Sequence, residues 1–236
     1  MSLNVSDRSF ITARIRATQS QLDVRRSSGA AVSQMLHDSN DLEPGELPVK
    51  RRGDHDLNQM GMRPKPPLTP AAVLVPLLDH GDQITVLLTE RAADLRAHAG
   101  QISFPGGRID PGDASPEAAA LREANEEIGL PLASVELVGR LDTYEVRTGF
   151  EITPVVGFVD PVFKLIRAPG EVADVFEVPL AFVLDPANHE RQSKVLQGKR
   201  RYFYVLPFED RYIWGATAGM LVNLYEVLTG QTAYWR

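Results

Sequence analysis

Phe104-Pro-Gly-Gly-Arg-Ile-Asp-Pro-Gly-Asp113 runs straight into Ala114-Ser-Pro-Glu-Ala-Ala-Ala-Leu-Arg-Glu-Ala-Asn-Glu-Glu-Ile-Gly-Leu130. The second half predicts a helix that follows Ser115, with Pro116 suited to its first turn and Gly129 placed to end it. At about 100° per residue, Glu126 and Glu127 lie roughly 60° and 40° to either side of Glu123, so three carboxylates share one face. Leu121, Ala124 and Ile128 point to another sector, where they can pack on a sheet. Like charges at i, i+3 and i+4 repel by a few tenths of a kcal/mol per pair. A hard cation such as Mg²⁺, which prefers oxygen ligands in an octahedral shell, reverses that sign. Upstream, Gly106 and Gly107 let backbone approach closely and adopt positive φ. A carbonyl of that turn is a further candidate ligand. Taken alone, a Glu-rich helix face is also an ordinary solvated surface, and Pro-Gly turns are common.

Outward from this stretch, Ala71 to Leu78 and Gln83 to Thr89 read as strands joined by the turn residues His80-Gly-Asp82. Val135 to Val146, Thr153 to Asp160 and Arg201 to Leu206 are further strand candidates, and a second helix is predicted from about Thr217 to Leu228, before Gly230. Strands and helices mix without a regular βαβ repeat, which predicts an α+β or layered α/β/α domain with a mixed sheet. Residues 1–66 differ in character. Phe10, Ile11, Ile15, Thr18 and Leu22 lie near helical spacing, a second short helix is predicted around Ala30 to Leu36, and Arg63-Pro-Lys-Pro-Pro67 reads as a linker. The expected division is an N-terminal arm and linker over 1–66 and one main domain over 67–236.

Composition narrows the function classes. A chain of 236 residues can bury a substantial core, and no stretch approaches the roughly 18 to 20 unbroken apolar residues of a membrane helix. The absence of cysteine excludes disulfides, thiolate zinc sites and cysteine nucleophiles, and fits a reducing, cytoplasmic compartment. A formal charge of −6 argues against a protein that coats nucleic acid, so a polyanionic substrate needs local cations or a metal.

Arg122-Glu-Ala-Asn-Glu-Glu-Ile-Gly-Leu130 resembles the core of the Nudix box: arginine-glutamate, a small apolar residue, any residue, two glutamates, any residue, glycine and an aliphatic. The front half departs from the pattern. Asp113 stands where an early glutamate is usual, and the gap to Arg122 is one residue longer than in the commonest form. Leu87-Leu-Thr-Glu-Arg91-Ala-Ala-Asp-Leu-Arg96-Ala-His-Ala-Gly100-Gln-Ile-Ser-Phe-Pro-Gly-Gly107 is similar to the signature that precedes the box in the coenzyme A pyrophosphatase branch. Ile213-Trp-Gly-Ala-Thr-Ala218 resembles that branch's entry into its C-terminal helix.

The resemblance implies a Nudix-like α/β/α sandwich that hydrolyses a diphosphate bond in a nucleotide derivative, with coenzyme A first and ADP-ribose or a dinucleotide as alternatives. It implies Mg²⁺ or Mn²⁺ held by Glu123, Glu126 and Glu127, which are also the catalytic candidates. The general base stays open among Glu123, Glu127 and a loop acid such as Glu171. Arg91, Arg96, Gly106 and Gly107 are the substrate-binding candidates, with His98 and Arg108 behind them. Arg122, on the flank, is expected to brace the loop through Asp113. Tyr212 and Trp214 are weighed as adenine-stacking residues against core packing, with packing favoured. The partner expected is a small-molecule nucleotide, with neither nucleic acid nor membrane, and a homodimer is compatible with the sequence. A Nudix module that senses a nucleotide without turnover is the alternative from a different class.

Overall fold

The computed structural model describes residues 7–19, 52–58, 64, 66–94, 99–196 and 198–233. Residues 8–19 form helix α1, whose Ile11 and Ile15 are fully buried, as their four-residue spacing requires of one helix face. The helix predicted around Ala30 to Leu36 lies outside the described residues.

Among the described residues, nine strands make one mixed sheet. They are β1 (Arg52–Gly53), β2 (Thr69–Asp79), β3 (Ile84–Arg91), β4 (Ile102–Ser103), β5 (Gly106–Arg108), β6 (Val135–Arg140), β7 (Tyr144–Val146), β8 (Phe150–Val159) and β9 (Val172–Pro179). The central pair is β2 and β8, parallel and in register from Thr69 opposite Phe150 to Leu78 opposite Val159. Buried on both faces, these strands read as near-continuous apolar runs rather than alternations. Three more strands, β10 (Glu190–Leu196), β11 (Lys199–Phe208) and β12 (Arg211–Trp214), form a separate antiparallel sheet.

Helix α2 (Pro116–Ile128) covers one face of the main sheet, where Ala119, Ala120, Ala124 and Ile128 meet Leu74, Leu78, Leu87 and Val155. The opposite face carries the short helix α3 (Leu180–Val183) and helix α4 (Gly215–Thr229), whose Leu221, Leu224 and Leu228 join a second cluster with Val75, Val86 and Phe158. The result is the layered α/β/α architecture with a mixed sheet that the sequence predicts. Two expectations are corrected. Val135 to Val146 is not one strand: it breaks at Leu141 to Thr143, leaving β6 and β7 on different halves of β8. The strands β1, β4, β5, β9, β10 and β12 were not predicted.

One feature of the topology opens the site. The same edge of β2 is shared, with β3 paired at Leu77 to Asp79 and β5 paired at Ala71 to Val73. Where the two neighbours part, the Leu74 amide donates to the Pro105 carbonyl at 2.8 Å. That bond pins the glycine turn beside the end of β3, above the acidic face of α2.

Candidate active site

Local chemistry fixes α2 at both ends. The Ser115 hydroxyl accepts from the Ala118 amide at 3.2 Å, Pro116 occupies the first turn, and Gly129 closes the helix in the left-handed conformation at φ 67°. A cap of this kind stabilises by about 1 kcal/mol, and the left-handed C-terminal position favours glycine. With its ends and its alanine face fixed, α2 can present only the sector carrying Glu123, Glu126 and Glu127 towards the glycine turn.

The turn is shaped around those carboxylates. A Cβ placed on Gly107 would lie 2.5 Å from Glu123 Oε1 and 2.7 Å from Oε2, so only glycine leaves room for the carboxylate there. The Gly106 amide donates to Glu127 Oε2 at 3.2 Å. Gly106 has φ 155°, and a side chain on it would meet the Ala72 carbonyl at 2.5 Å. Both glycines of the pair are therefore required, the first by backbone crowding and the second by a carboxylate.

Arg122 braces the loop as expected, donating from Nε to Asp113 Oδ1 at 3.0 Å and from Nη2 to Oδ2 at 2.9 Å. This fork holds the Asp113 carboxyl below its ordinary range. The same guanidinium also donates from Nη1 to Glu123 Oε1 at 3.0 Å and to Glu126 Oε2 at 3.1 Å. The sequence placed Arg122 on the flank; its length lets it fold back over two of the three acids.

Glu127 is different. It is 5% exposed, and burial pushes its carboxyl up to about 7, against the lowering effects of the Gly106 amide and of Arg91. Glu123 is also raised, first by burial, with Arg122 opposing. Arg91 Nη1 stands 3.9 Å from Glu127 Oε1, and Arg91 Nε is buried without a hydrogen-bond partner among the described residues. A buried acid faced by one distant guanidinium is under-compensated, because ionising it in a low-dielectric setting needs more positive charge nearby.

Hard oxygen donors, a glycine cradle that a Cβ would fill and an under-compensated buried carboxylate together suit a divalent cation. Among the described residues no three acids or histidines stand at metal-ligand spacing, since Arg122 draws Glu123 and Glu126 to itself.

Of the remaining candidates, Arg91 lies at the site, whereas Arg96 and His98 lie outside the described residues. The Arg108 guanidinium rests 5.5 Å from the centre of the Phe150 ring. Tyr212 and Trp214 are corrected: they are 45% and 38% exposed on β12, not core. Ile213 between them takes the buried side, as strand alternation demands. Sequence reasoning also missed a charged cluster behind the site, in which Arg211 bridges Glu90 and Asp174 at 2.6 and 2.7 Å. Contacts across so many residues leave no local pattern to read.

Residues 68–198 match the NUDIX domain family. A relative named "Uncharacterized Nudix hydrolase NudL" from Citrobacter koseri is 42% identical over 154 residues, covering 65% of this chain and 80% of the relative. Its namesake from Escherichia coli K12 is 41% identical with the same coverage. The crystal structure of the Nudix hydrolase RenU from M. smegmatis is 25% identical, covering 50% of this chain and 74% of that one, with a TM-score of 0.42. Among the described residues no helix is long and apolar enough to cross a membrane.

Proposed function

Since this chain belongs to the Nudix hydrolase family and acts on a nucleoside diphosphate derivative, we propose that its substrate is coenzyme A, cleaved to 4′-phosphopantetheine and adenosine 3′,5′-bisphosphate. The observation that carries the substrate is the run from Leu87 to Gly107, which resembles the coenzyme A branch and contains Arg91, β4 and the glycine turn. Residues 67–236 carry the chemistry in this reading; of the described residues before them, α1 packs on the core and β1 pairs with β7 in the main sheet.

Glu123, Glu126 and Glu127 would hold Mg²⁺ or Mn²⁺. When bound, such an ion neutralises charge on the phosphoryl oxygens and lowers the pKa of a water. The protein's own residues do the rest by position. Gly106 and Gly107 let backbone come close to the diphosphate, and the Gly106 amide and Arg91 orient Glu127. Arg91, whose planar guanidinium stands beside Glu127, suits a phosphoryl oxygen arriving there. Glu127, placed beside the Gly106 amide and Arg91, is one candidate to take a proton from the attacking water, with Glu123 and Glu171 as the others.

The test is a panel of coenzyme A, 3′-dephospho-coenzyme A, ADP-ribose and a dinucleotide with Mg²⁺ or Mn²⁺, products identified by mass. Coenzyme A is expected to give the highest kcat/KM, with the bisphosphate as product. A clear preference for ADP-ribose would keep the diphosphate chemistry and remove the coenzyme A assignment.

A further inference from the structure

Arg91 reaches Glu127 from a strand end that is irregular. Along β3 and β9 the pairing runs Thr89 opposite Val175 and Glu90 opposite Asp174, and then jumps, so that Arg91 faces Val172 and Ala173 is left over. This is a β-bulge, which re-aims the side chains beside it. Strand alternation puts Glu90 and Asp174 on the face towards β12, with Leu88 and Phe176 behind them, and Arg91 on the face towards α2.

Two acids directly opposite each other across a ladder repel and should open it. Here they are bridged. Arg211, from the start of β12, donates from Nη1 to Glu90 Oε2 at 2.6 Å and from Nη2 to Asp174 Oδ2 at 2.7 Å, with its guanidinium carbon 4.4 Å from the centre of the Phe176 ring. One planar fork therefore spans both strands at the last regular pair before the bulge, and its stacking on Phe176 fixes the plane. Asp174 has Arg167 at 3.5 Å on its other oxygen, so Arg211 is what ties Asp174 to Glu90 rather than merely neutralising it. Around the bulge the Arg91 amide donates to the Gln101 carbonyl at 3.0 Å, the Ala92 amide donates to the Glu171 carbonyl at 2.9 Å, and Arg167 Nη1 donates to the carbonyl of the left-over Ala173.

We propose that Arg211 is a positioning residue: by clamping Glu90 to Asp174 it fixes the end of β3 from which Arg91 reaches Glu127. Arg211 lies beyond the segment that matches the family, and it touches none of the three glutamates of the site. The inference rests on the reading of Arg91 given above, and the experiment separates the two.

The test is a double-mutant cycle of Arg211→Met and Arg91→Met, read as kcat/KM on the best substrate of the panel, with Tm measured for each variant. Arg211→Met is expected to cost roughly tenfold with Arg91 present, in the range for residues of one network, and less than about twofold in the Arg91→Met background. Both variants should divide the loss between KM and kcat in the same way, while the Tm change from Arg211→Met is alike in both backgrounds. If Arg211→Met unfolds the chain, Glu90→Gln with Asp174→Asn relieves the repulsion while releasing the clamp, and should show the same dependence on Arg91. An equal loss in both backgrounds, or no loss with Arg91 present, overturns the proposal. A silent Arg91→Met overturns the reading of Arg91 itself, and the proposal with it.

Discussion

Replacing Glu127 by Gln should make the metal-free protein more stable while disabling it. Glu127 is 5% exposed, and its carboxyl is raised from 4.5 to about 7, chiefly by burial. A folded-state pKa above the unfolded value means that the unfolded chain releases its proton first. Stability is therefore lost as pH rises from about 4.5 through about 7. At about 1.4 kcal/mol for each pKa unit, the gap amounts to about 3 kcal/mol at pH 7.5. Glutamine keeps the shape and can still accept from the Gly106 amide, but carries no charge to desolvate. For a chain of this length about 3 kcal/mol corresponds to roughly 6 to 12 °C in Tm. The assay is thermal and urea unfolding of both proteins in chelator from pH 4.5 to 8, followed by the same at pH 7.5 with Mg²⁺. Glu127→Gln should be the more stable at pH 7.5, and the difference should vanish near pH 4.5. Mg²⁺ should then stabilise the wild type more than the variant, by up to about 2.7 kcal/mol at a hundredfold excess over Kd. A variant no more stable than wild type at pH 7.5 in chelator would refute the reasoning.

The glycine pair should separate activity from stability. Gly107→Ala pushes only on the end of the Glu123 side chain and should lower turnover at least about tenfold with Tm within a few degrees, whereas Gly106→Ala meets the β2 backbone and should destabilise by more than about 1 kcal/mol. Comparing kcat with Tm for the two variants checks this. His189 is buried with its Nε2 donating to the Val183 carbonyl at 2.7 Å, and burial holds its pKa below 6.5. A depressed histidine pKa leaves stability intact above about 6.5 and removes it as pH falls below that value. His189→Gln should flatten the acid limb of a Tm against pH curve, and an unchanged limb would mean that His189 does not titrate on unfolding.

What the sequence made legible was whatever is local. The caps of α2, the hairpin of β2 and β3 and the apolar runs of the central strands are set by neighbouring residues, and each emerged within a few residues of its predicted bounds. So did the sharing of one helix face by Glu123, Glu126 and Glu127, which follows from helical geometry. What was not legible depends on distant partners. Strand β10, Glu-Arg-Gln-Ser-Lys-Val-Leu, is largely exposed and carries no apolar alternation, so only its pairing with β11 makes it a strand. Tyr212 and Trp214 were assigned to the core because their side of β12 could not be known without its register against β11. Arg122 could be placed on the helix but not its reach over Glu123 and Glu126, which depends on a long side chain finding three carboxylates at once. The bridge by Arg211 joins Glu90 and Asp174 across 121 and 37 residues, and nothing local announces it.

The central claim is that the acids of α2 hydrolyse a diphosphate with a divalent cation. Its most direct test is hydrolysis of coenzyme A by wild type and Glu126→Gln, first in excess chelator and then through a Mg²⁺ titration. The wild type should be silent in chelator and recover with Mg²⁺, and Glu126→Gln, whose side chain already lies open to solvent, should fold normally yet lose on the order of a hundredfold in turnover. Full turnover in excess chelator, or a Glu126→Gln variant at wild-type rate, would contradict it.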